Sequence, residues 1–218
     1  MTGLFWGERK IIVIAKVQQF SEECHALSDR CQAVVGMYRK GISDDVPGKP
    51  YVRPIVRGKE VKKVEFGAKC NNILVDGMSF IEKISFNAFN EGTRLEHCVK
   101  LAEKLFGEKI TKLGGDCSYS GNDNRSFCSE RGIVTSFAQK GKNREASTSV
   151  SMVKKELARV RATAMEGSFG TQKEHYGLKR INGLIKKTEV LIIFFGIHTG
   201  NAVQLARRIA KAELSRAA

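Results

Sequence analysis

VEFGAKCNNILVDGMSFIEKISFNAFN, residues 64–90, decides the fold. Two runs rich in β-branched and aromatic residues, 64–75 and 79–90, flank the pair Asp76-Gly77. Asp-Gly between two such runs is a strong signal for a two-residue hairpin turn, so the stretch predicts two antiparallel strands. Phe80, Glu82, Ile84, Phe86 and Ala88 do not alternate cleanly with polar neighbours, which predicts a strand covered on both faces.

Downstream, RLEHCVKLAEKLF (94–106) has the apolar spacing of a short amphipathic helix, with Gly107 as its stop. ITKLGGDCSY (110–119) reads as a strand ending at Asp116, NDNRSFCSERG (122–132) as a helix and IVTSFA (133–138) as a further strand. A polar basic loop, KGKNREASTSVS (140–151), leads into MVKKELARVRATAMEGSFGTQKEHYG (152–177), one helix or two with Gly167 and Gly170 as weak points. A last apolar helical region covers 182–214. Hairpins make antiparallel pairs and helical crossovers make parallel ones, so the order predicts an α/β fold with a mixed sheet.

Upstream, Val17, Phe20, Cys24, Leu27, Cys31, Val34 and Tyr38 recur every three or four residues. This stripe predicts a helix over 9–40, ended by Gly41 and SDDVPGKP (43–50). The expected organisation is an N-terminal helical arm (1–48), a main domain (49–187) and a C-terminal helical segment (188–218).

The 218 residues carry 37 Lys/Arg against 23 Asp/Glu, a net charge of +14. Residues 140–187 hold 12 Lys/Arg and 4 Asp/Glu, a local net of +8. A field of that sign favours polyanions, nucleic acid foremost. Aromatic content is 8%, and only Phe169 and Tyr176 interleave with the basic cluster, which argues against RNA recognised by stacking. Six cysteines form no CxxC pair, and the four histidines complete no zinc spacing. Scattered thiols and the lack of a signal-peptide pattern fit a reducing cytoplasm. The longest apolar run, VLIIFFGI (190–197), is far shorter than the roughly 20 residues of a membrane span, so no membrane partner is expected.

Two acidic residues stand out. Asp116 sits where a strand meets a Gly/Ser/Asn-rich turn, the end of a strand at which α/β sheets bind ligands, although a turn-capping Asp fits the same position. Glu166 is a carboxylate inside the basic cluster. Two carboxylates on separate elements amid Lys and Arg suit Mg²⁺ or Mn²⁺, and the cations suit a nucleic-acid backbone. An ion pair with Lys155 or Lys173 across helical turns explains Glu166 equally well.

The stretches YVRPIVRGKEVKKVEFGAK (51–69), LVDGMSFIEKISFNAFNEGT (74–93), GGDCSYSGNDNRSFCSERGI (114–133) and MEGSFGTQKEHYGLKRI (165–181) resemble the bacterial insertion-sequence DDE transposases, whose catalytic domain is ribonuclease H-like. The resemblance covers 51–187 well. It implies metal-dependent DNA cleavage and strand transfer at insertion-sequence ends. It matches Asp116 and Glu166 to the second and third acids of the triad, holding Mg²⁺ or Mn²⁺. Lys173 matches a lysine at the DNA end, and Asn124, Arg125, Tyr176, Lys179 and Arg180 fall in the same DNA-facing motifs. The glycines beside Glu166 would allow close backbone approach to DNA.

The sequence also departs from that pattern. No residue aligns with the first catalytic aspartate. Asp76 is a turn residue by its Asp-Gly context, and Asp44 and Asp45 match no better. The arginine usual four positions before the glutamate is Ala162 here, beside Arg161. The expectation is therefore a truncated, inactive copy whose sheet lacks its first strand, leaving 64–75 as an open edge prone to self-association or homodimer formation. The alternative is a basic remnant that binds double-stranded DNA without catalysis, cytoplasmic and nucleoid-associated.

Overall fold

The computed structural model describes residues 11–14, 18–20, 49–56, 64–138 and 148–217. It is a mixed α/β chain. The strands are β1 (Ile11–Ile14), β2 (Gln18–Phe20), β3 (Ile55–Val56), β4 (Val64–Glu65), β5 (Ala68–Val75), β6 (Met78–Ser85), β7 (Lys112–Gly114) and β8 (Val134–Thr135). The helices are α1 (Leu95–Phe106), α2 (Asn122–Glu130), α3 (Thr148–Val160), α4 (Glu166–His175) and α5 (Lys186–Ala217). The chain forms two compact units, residues 1–17, 71–82 and 90–169 in one, and 18–70, 83–89 and 170–218 in the other.

The first unit is built on the strand order β6-β5-β1-β7-β8. Asp76 (φ 48°) and Gly77 (φ 74°) make the tight turn between β5 and β6, as the Asp-Gly pair predicts. β1 runs antiparallel to β5 (Val13 opposite Leu74) and parallel to β7 (Val13 opposite Gly114). β7 and β8 are parallel, with Leu113 opposite Thr135. α1 stops at Gly107 (φ 70°), whose N–H donates to Glu103 O at 2.8 Å. Its inner face, Leu95, Cys98, Val99 and Ala102, is fully buried with Ile73, Val75, Leu113 and Tyr119. Each large aliphatic side chain in such a core contributes about 1.5–3 kcal/mol of burial.

The N-terminal segment differs from its expected helix. Residues 11–14 and 18–20 are strands, and the rest of 9–40 lies outside the described residues. Ile11-Ile12-Val13-Ile14 is a β-branched run, stiff at χ1 and better suited to a pleated surface than to a helix. In consequence the expected open edge along β5 is paired. β1 covers Ile73–Val75, and in the second unit β2 covers Ala68–Cys70.

In the second unit β3 and β4 form a short antiparallel ladder. Glu189, buried on α5, accepts a hydrogen bond from Tyr51 Oη at 3.0 Å and pairs with Lys49 Nζ at 2.5 Å. Burial, reinforced by Glu189, pushes the Tyr51 hydroxyl up to about 12. α5 turns Gly196 and Gly200 toward the segment 172–178. A Cβ at Gly196 would stand 2.6 Å from Leu178 and 2.9 Å from Tyr176 O, so only glycine permits this approach. α5 is 32 residues long, well beyond the apolar run at 190–197. By length and composition it is apolar enough to cross a membrane.

Candidate functional site

Asp116 lies two residues beyond β7, after Gly115, and caps a 3₁₀ turn, Cys117–Tyr119. Its Oδ1 accepts from Cys117 N–H at 2.7 Å, so the turn-capping reading of this aspartate holds. The residue is only partly exposed. Capping occupies one carboxylate oxygen and leaves the same group at the carboxyl end of a parallel strand, where α/β sheets bind ligands.

The turn is braced from several sides. Gly115 N–H donates to Ser136 Oγ at 3.1 Å, joining the end of β7 to the residue after β8. Asn124 Nδ2 donates to Tyr119 O at 2.9 Å and to Gly92 O at 2.7 Å. A Cβ on Gly92 would lie 2.4 Å from Ser118 O, so glycine is required for that close approach. Arg125 donates to Ser120 O at 2.8 Å and to Ala138 O at 2.7 Å, with its guanidinium 5.6 Å from the Phe137 ring centre. Asn124 and Arg125, expected at DNA, therefore spend these donors on the loops around Asp116.

Beneath the turn lies a buried polar network. Tyr119 Oη donates to Asn71 Oδ1 on β5 at 2.6 Å. Asn71 Nδ2 donates to Glu82 Oε2 on β6 at 2.9 Å and approaches Cys98 Sγ at 3.4 Å. Glu82 is in turn paired with Arg94. Burial raises the Tyr119 hydroxyl well above its ordinary range, with smaller repulsion from Glu82, Glu91 and Asp116 among others. Burial also lifts the Cys98 thiol to about 12. Sequence reasoning missed this network. Its one legible sign is Asn71-Asn72, two amides inside an apolar strand, because buried amides need partners.

α4 begins at Glu166, after a π turn spanning Arg161–Met165. The side chains of Arg161 and Glu166 lie outside the described residues. Their neighbours fix the backbone: Met165 is buried against Leu74 of β5, and Ser168 Oγ sits 3.0 Å from Ser79 Oγ on β6. The start of α4 is thus tied to β5 and β6, Asp116 follows β7, and β1 runs between β5 and β7. Gly167 and Gly170 do not break the helix, and among the described residues a Cβ at either would meet nothing within 4 Å.

Lys173, Tyr176, Lys179 and Arg180 belong to the second unit. Lys173 is partly exposed, and Lys179 and Arg180 are exposed. Lys179 forms an exposed ion pair with Glu174 at 3.0 Å. Tyr176 packs toward α5, 3.4 Å from where a Cβ on Gly200 would stand. Among the described residues, no three His, Cys, Asp or Glu side chains gather into a metal-binding group. Asp116 alone does not fit a two-ion centre.

No protein-family profile, characterised protein or solved structure matches this chain.

Proposed function

We propose that this chain is a DDE-transposase-type domain on a ribonuclease H-like sheet that grips double-stranded DNA without cutting it. The observation that carries this reading is β1. It is the strand between β5 and β7, flanked by the start of α4 on one side and the Asp116 turn on the other. The resemblance assigns a first catalytic aspartate to such a central strand, and Ile11–Ile14 contains no carboxylate.

Cutting a phosphodiester with two metal ions needs ligands that bridge both. Asp116 and Glu166 supply two carboxylates, and Mg²⁺ gives up its water reluctantly, so the pair would hold Mg²⁺ or Mn²⁺ only weakly. DNA binding has less exacting requirements. It needs phosphates met by cations, and residues 140–187 carry a net +8. Lys173, Lys179 and Arg180 are the cations of that cluster that the resemblance points to. In this reading the chain works on DNA in the cytoplasm.

The test is incubation of the purified chain with labelled duplex DNA and Mn²⁺. The expected result is complex formation with no nicking and no strand transfer. Robust cleavage that disappears in Asp116→Ala or Glu166→Ala would contradict the proposal.

A further inference from the structure

α5 has two faces. One is covered: Glu189, Ile193, Gly196 and Ile197 are buried, Glu189 against Lys49 and Tyr51 and Gly196 against Leu178. On the opposite face Leu191, Phe195, His198, Ala202, Leu205 and Ile209 follow one another at spacings of four, three, four, three and four. Leu191 (54% exposed), Phe195 (61%), Leu205 and Ile209 stand open to solvent. Alternating steps of four and three are the seam of a left-handed coiled coil, whose partner is another helix. Beside Phe195 a shallow apolar groove, bounded by Thr188, Ile192 and Thr199, offers a hole for a facing knob.

We propose that this stripe is a homodimer interface, in which α5 pairs in parallel with α5 of a second copy. The charges flanking the seam choose the partner and the direction. In a parallel coiled coil, the residue just before one core position faces the residue five places later on the other helix. Arg208 and Glu213 stand in that relation, so each copy's arginine would meet the other's glutamate. A closed two-fold pairing of like surfaces satisfies both pairs at once. A membrane does not fit this helix as well. Its Gly196 and Gly200 face is already packed on the 172–178 segment, Arg207 and Arg208 fall within the stripe's length, and Lys211 comes just after it. The interface is independent of the DNA reading.

Sedimentation equilibrium on the full chain, at a salt concentration that screens the +14 charge of each copy, should give a dimer. Leu205→Asp and Ile209→Asp should each raise its dissociation constant at least about tenfold, with the circular dichroism unchanged. Arg208→Glu and Glu213→Arg should each weaken the dimer, and the double exchange should restore it. Leu191→Cys and Ile209→Cys should each form an intermolecular disulfide on oxidation, beyond any background from the native thiols, as only parallel pairing in register allows. A native chain that remains monomeric overturns the proposal, whether or not it floats with phosphatidylglycerol vesicles. A dimer indifferent to Leu205→Asp, or cross-linked at neither position, places the interface elsewhere and overturns it equally.

Discussion

Asp116 shows how a single residue can satisfy two descriptions. It caps a turn, and that cap is part of what holds its carboxylate at the end of β7. The turn depends in addition on Tyr119, whose hydroxyl is anchored 2.6 Å from Asn71 in the core. Tyr119→Phe removes the donor and leaves a buried amide oxygen without it, which should cost about 1–3 kcal/mol in urea unfolding. A loss below a few tenths would mean that the network does not brace the turn. Gly167 makes the opposite case. None of the described residues occupies the space a Cβ would take, so Gly167→Ala should stabilise α4 by about 0.5–1 kcal/mol. If the glycine serves close approach of DNA, the same variant should bind duplex more weakly. Unchanged affinity would remove that role.

At the scale of elements, the hairpin, α1 and α2 were legible because turn chemistry, period and stop signals agree there. Asp76-Gly77 sets the register and Gly107 ends α1. β1 was not legible. A stripe at helical spacing from Val17 onward pulled a helix across Ile11–Ile14, a four-residue apolar run that periodicity alone cannot assign. Gly167 and Gly170 read as the weak points of residues 152–177, yet the irregular turn there is the π turn over Arg161–Met165. Of the candidate site, Asp116 was legible from its place after a strand. Its bracing was not, because Asn71, Glu82 and Ser136 meet it only through tertiary contacts. Those contacts carry a pH signature. Burial raises Tyr119 and lifts Cys98 to about 12 and Cys128 to about 11, so all three fold in the protonated form. Their stabilisation is intact below the unfolded thiol value near pH 8.5 and is lost as pH rises through the folded values. The melting temperature should therefore fall steadily above about pH 9, and less steeply in Tyr119→Phe. A flat alkaline limb would contradict the burial of these groups.

At the scale of the whole molecule, charge and sheet point the same way. A chain with +14 overall and +8 in residues 140–187 carries a field that favours polyanions, as the proposed DNA binding requires. Ile11–Ile14, the strand between β5 and β7, carries no acid, which on the proposed reading leaves no complete cutting site. The two facts together predict binding that is electrostatic, indifferent to sequence and uncoupled from chemistry. Salt dependence tests this most directly, since each phosphate neutralised releases condensed counterions. Anisotropy of a labelled duplex, titrated with the purified chain across a range of NaCl concentrations, should show log K falling linearly and steeply with log[salt], with similar slopes for unrelated sequences. An affinity that barely responds to salt would contradict the account.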